Sequence, residues 1–115
     1  MKRYAILAGL IGLAFLPASG TAVAGHPPHT VAVSMKDFKF ALSKRAVPHG
    51  LAVFKVRNDG KVIHDFKIAG KKTPIYTSGR GGLLRVRIDK AGRYKYVCTV
   101  PGHVAAGMWG VLVVR

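Results

Sequence analysis

Short runs in which every second residue is apolar recur along the chain, and this periodicity restricts the fold to sheets. Side chains on a strand point alternately to opposite faces, so a period of two marks a half-buried strand. Residues 30–35 place Val31, Val33 and Met35 on one face. In residues 37–42 the pattern predicts Phe38, Phe40 and Leu42 inward, with Asp37 and Lys39 outward. Residues 51–57 turn Phe54 and Val56 to the core, and residues 62–68 put Val62, His64, Phe66 and Ile68 on one face. Leu84, Val86 and Ile88 alternate with Arg85 and Arg87, and Tyr94, Tyr96 and Cys98 share a face. Residues 108–114 are almost wholly apolar, as in a strand internal to a sheet. Pro48-His49-Gly50, Asn58-Asp59-Gly60 and Gly92 punctuate these runs as turns, and the glycine-rich residues 70–82 read as a loop. No helical pattern follows residue 24. The prediction is an all-β, Greek-key β-sandwich of about seven to eight strands.

The chain opens like an exported protein. Lys2 and Arg3 form a basic start, residues 5–16 are apolar, Pro17 interrupts them, and Ala22-Val23-Ala24 offers a small-residue cleavage site. Twelve apolar residues are too few for a transmembrane helix, which needs about 20. Residues 1–24 therefore read as a cleaved signal peptide, residues 25–29 as a flexible tail carrying His26 and His29, and residues 30–115 as one domain. The localisation predicted is periplasmic or otherwise exported, with no transmembrane segment after cleavage. A chain of the remaining 91 residues buries only about 60–65% of its unfolded surface. Small exported domains often compensate with disulfides, but Cys98 is the only cysteine. A lone thiol in an oxidising compartment calls for an occupant, and a metal bond would also stabilise the fold.

The stretch Tyr94-Lys95-Tyr96-Val97-Cys98-Thr99-Val100-Pro101-Gly102-His103-Val104-Ala105-Ala106-Gly107-Met108 supplies what such a metal needs. Four residues separate Cys98 from His103 and four more separate His103 from Met108, and His64 points inward from an upstream strand. A lone Cys or Met is ordinarily core filler. A thiolate, two imidazoles and a thioether together suit copper cycling between its two oxidation states, with the thioether as a weak axial ligand. His49 lies in a turn and reads as exposed and unliganded.

The charge is one-sided. There are 19 Lys and Arg against 4 acidic residues, and without Lys2 and Arg3 the net charge is +13. Such a field steers a protein toward acidic partners or anionic surfaces, and it permits peripheral contact with an anionic membrane. Nucleic acid is the common partner of a basic chain. An exported chain without a nucleic-acid-binding motif argues against that class.

The run from Gly92 to Cys98, then Thr99-Val100-Pro101-Gly102-His103, then Gly107-Met108-Trp109-Gly110, resembles the C-terminal half of a cupredoxin, a type 1 blue copper protein. Asn58-Asp59-Gly60 with His64-Asp65-Phe66 resembles that family's upstream ligand strand. The Cys-to-His spacing is similar to azurin and auracyanin, and the His-to-Met spacing to auracyanin and plastocyanin. The resemblance implies His64, Cys98 and His103 as strong ligands and Met108 as the weak axial one. It also implies a polar residue after the first His that bonds across to the cysteine loop. Here that residue is Asp65, whose parity turns it from His64 toward Thr99. The implied function is single-electron transfer to redox partners, acidic ones on the charge argument, docking in the apolar patch around His103. The protein would not be an enzyme, since a copper nitrite reductase needs a second copper site and more chain. Copper storage or delivery is the alternative, disfavoured because the chain lacks a methionine cluster.

Overall fold

The computed structural model describes Gly9, Gly12 and residues 27–115. The predicted leader and His26 fall outside that description, those two glycines apart. Among the described residues there are nine strands: β1 (His29–Lys36), β2 (Lys39–Leu42), β3 (Ala46–Val47), β4 (Gly50–Asn58), β5 (Lys67–Ile68), β6 (Lys71–Lys72), β7 (Gly81–Ile88), β8 (Gly92–Val97) and β9 (Trp109–Val114). Three of them hold two residues each, which accounts for the excess over the seven to eight expected. No helix occurs among the described residues.

The strands form two sheets in the orders β2-β1-β4-β7 and β3-β9-β8-β5-β6. The pairs β1–β4 and β3–β9 are parallel and the rest antiparallel, so both sheets are mixed and the chain crosses between them. The architecture is the expected β-sandwich. Val31, Val33, Met35, Phe54, Val56 and Val86 from the first sheet meet Phe66, Ile68, Leu112 and Val114 in one core cluster. Burying each of these larger side chains contributes about 1.5–3 kcal/mol. The apolar strand β9 lies inside its sheet, between β3 and β8.

Four local expectations need correction. His29, assigned to the tail, opens β1 opposite Ala52. Residues 37–42 do not alternate throughout, because Lys36 pairs with Lys39 and Asp37-Phe38 is the turn between them. Phe38 takes φ 64° and is 44% exposed, while Asp37 turns toward His64. Residues 62–68 are not one strand. Only Lys67–Ile68 pairs regularly, His64 bridges Tyr76, and Val62 is exposed. The cause is Asn58, wholly buried, whose Nδ2 donates to the carbonyls of Val62 and Tyr76 at 2.8 Å and whose Oδ1 accepts from Gly60 N. The turn is thereby drawn inward and residues 61–66 become an arch. Finally, residues 70–82 contain β6, joined to β5 by a two-residue turn in which Ala69 and Gly70 both have positive φ. That is the backbone of a type I′ hairpin, whose usual signal is Asn-Gly rather than Ala-Gly.

Candidate metal centre

The arch, the end of β8 and the loop before β9 converge at one end of the sandwich. His64 is fixed in the arch by two backbone hydrogen bonds with Tyr76, its N donating at 3.2 Å and its O accepting at 2.8 Å. Cys98 follows the last residue of β8. The intervening loop folds into successive turns: His103 N donates to Val100 O, and Gly107 N to Val104 O. Met108 N then donates to His103 O at 3.0 Å, and Cys98 N to Met108 O at 3.2 Å. Spacings of four residues thus bring Cys98, His103 and Met108 side by side. His64, Cys98 and Met108 are completely buried, whereas the His103 ring is half-buried.

Donor atoms of His64, Cys98 and His103 all lie within 4.8 Å of one another. Cys98 Sγ is 3.4 Å from His103 Nδ1 and 4.0 Å from His64 Nδ1, and the two Nδ1 atoms are 3.2 Å apart. Sequence reasoning missed what stands behind His64. Its Nε2 lies 3.0 Å from Asp37 Oδ1. A carboxylate can only accept there, so Nε2 carries a proton and Nδ1 is the ring nitrogen turned toward the other donors. The His64 bond is the foremost cause holding the Asp37 carboxyl below its ordinary range. Burial pushes the Cys98 thiol up, and burial, followed by the neighbouring His64, pushes His103 down.

Asp65 is also wholly buried. Its Oδ1 accepts from Thr99 N at 2.5 Å and its Oδ2 from the Thr99 hydroxyl, tying the arch to the cysteine loop. Phe38, exposed by its turn, presents an edge to His103 with ring centroids 5.1 Å apart. Neither Asp37 nor Phe38 was legible as a site residue, since period-two parity gives the wrong side for both. The remaining described histidines stand apart: His29 is in β1, and His49 Nδ1 bonds Arg115 O at 2.9 Å.

Residues 12–115 match the family model of copper binding proteins of the plastocyanin/azurin family. The chain belongs to this family. Among its relatives is Auracyanin-B of Chloroflexus aurantiacus, 43% identical over 42 residues, a match covering 36% of this chain and 18% of that protein's length. The fold is similar to auracyanin A, a "blue" copper protein of the same bacterium, with a TM-score of 0.63 and 20% identity over 77% of this chain and all of the other. It is likewise similar to the dithionite-reduced auracyanin of Roseiflexus castenholzii, with a TM-score of 0.62 and 19% identity over 76% and 96%. The donor chemistry fits the cofactor of the plastocyanin/azurin family, one type 1 copper. A thiol and two imidazoles offer donor atoms within 4.8 Å of one another, and Cys98 and Met108 belong to the apolar core cluster.

Proposed function

We propose that the protein is an exported carrier of single electrons between redox partners, in which His64, Cys98 and His103 would hold copper strongly and Met108 weakly. The observation that carries this reading is the convergence of three donors within 4.8 Å on a frame whose turns are hydrogen-bonded throughout. Copper bound there supplies a one-electron couple between its +1 and +2 states. The chain's own residues do the rest. Cys98, buried at the end of β8, is shielded from water and from other thiols. Asp65 holds the cysteine loop to the arch through Thr99, so the donors move little when the charge of the centre changes. His103 is the donor ring that reaches the surface, flanked by exposed Phe38 and Val104, and a partner would meet the centre there. The sequence of the leader supports export.

Storage or delivery of copper predicts the opposite behaviour, a site open enough to give up its metal. The buried thiol and buried Met108 favour retention. Voltammetry of the copper-loaded protein should give a reversible one-electron couple, and a chelator in excess should remove copper only over hours. Copper lost to the chelator within seconds, with no reversible couple, would overturn electron carriage in favour of delivery.

A further inference from the structure

Asp37 lies outside the four-residue ligand set, yet the structure builds a socket for it. It sits in the β1–β2 turn, and its carboxylate leaves that turn for the arch. Oδ1 accepts from Lys61 N at 3.0 Å and from Val62 N at 3.2 Å, while Oδ2 lies 3.1 Å from Lys61 N. The same Oδ1 meets His64 Nε2 at 3.0 Å. Gly60 leaves the space for this approach. A Cβ there would stand 3.0 Å from both Asp37 N and His64 Nε2 and would collide with Asp37 Oδ1. The side chain is one-third exposed and the ring it holds is wholly buried, so the carboxylate reaches in from the rim.

We propose that Asp37 is a positioning residue of the copper centre, which fixes the tautomer and orientation of His64 and, as a carboxylate one imidazole ring from the metal, favours the oxidised ion. A histidine ligand usually donates its second ring N–H to a neighbouring acceptor, which sets the tautomer and raises the basicity of the ligating nitrogen. A carboxylate does this more strongly than a neutral carbonyl, because the hydrogen bond is charge-assisted. Negative charge close by also stabilises Cu(II) more than Cu(I), since the oxidised ion carries one more positive charge. Both effects lower the reduction potential. The inference rests on the ligand reading above.

The test compares copper-loaded wild type, Asp37→Asn and Asp89→Asn. Asparagine keeps an oxygen for His64 and Lys61 but removes the charge. Asp89→Asn makes the same change in net charge beside Arg87, after the last residue of β7 and away from the donor cluster. In Asp37→Asn the ratio of Cu(II) to Cu(I) affinity should fall about tenfold, read by voltammetry as a rise of about 59 mV for one electron. Asp89→Asn should leave the potential where it was. A second readout needs no metal: ring ¹⁵N shifts should show His64 protonated at Nε2 in wild type and as a mixture of tautomers in Asp37→Ala. An unmoved potential in Asp37→Asn, an equal shift in Asp89→Asn, or an unchanged tautomer in Asp37→Ala would overturn the inference. A wild-type protein that binds Cu(II) without a strong thiolate band would instead sink the ligand reading on which it rests.

Discussion

Asp65 shows how much one buried side chain can decide. It follows His64 directly, and on a regular strand its side chain would leave the core when that of His64 enters. In the arch both are wholly buried, and the carboxylate finds Thr99 N and the Thr99 hydroxyl. Hydrogen bonds to a charged group contribute roughly 1.5–3 kcal/mol, and a buried group left without its partner loses more than the bond. Asp65→Ala should therefore lower the stability of the metal-free protein by about 2–3 kcal/mol on the same scale. Asp65→Asn, which can keep the bond from Thr99 N, should lose less. Urea unfolding of the three metal-free proteins checks this. Equal midpoints would mean that the Asp65–Thr99 tie contributes nothing to holding the arch against the cysteine loop.

At the scale of elements, legibility tracked regularity. The core faces of β1, β4, β7 and β8 followed from alternation alone, because strands with one buried face leave little choice of parity, and the apolar run of β9 marked it as internal to its sheet. The convergence of Cys98, His103 and Met108 was legible because local turns close the four-residue stretches between them. The arch was not. Its shape depends on Asn58 capping the carbonyls of Val62 and Tyr76, and Tyr76 lies 18 residues away in sequence. No window of alternation contains that contact. The β1–β2 turn failed for a related reason. Lys-Asp-Phe-Lys carries no glycine at the position with positive φ, so the run reads as an unbroken strand and the side chains of Asp37 and Phe38 are assigned to the wrong sides. What the sequence concealed around the site was thus Asp37 and Phe38, whereas the contact of Asp65 with Thr99 was expected and is present.

For the whole molecule, the balance of charge acquires a structural meaning. All four acidic residues are engaged: Asp37 with His64, Asp59 with Arg57, Asp65 with Thr99 and Asp89 with Arg87. Among the described residues the surplus of Lys and Arg is left facing solvent, to the extent that Lys67 and Lys72 stand directly opposite each other across β5 and β6. Such a field accelerates encounter with an acidic partner, typically by about 10- to 1,000-fold, and exposed charges are screened beyond about 8 Å at physiological salt. The rate of electron transfer to an acidic redox protein should fall about tenfold or more as salt rises from low to physiological strength. Val104→Glu, which places a charge beside His103 on an exposed side chain, should slow it further without touching a donor. Stopped-flow kinetics across a salt series reads both effects, and a rate flat in salt and indifferent to Val104→Glu would remove the basic surface from recognition. Whether the donors beneath that surface hold a type 1 copper is read from the visible absorption spectrum of the Cu(II)-loaded protein beside that of Cys98→Ser. An intense thiolate-to-copper charge-transfer band is expected in the first and none in the second. A colourless wild type, or a Cys98→Ser protein that keeps the band, would rule out Cys98 as a copper ligand.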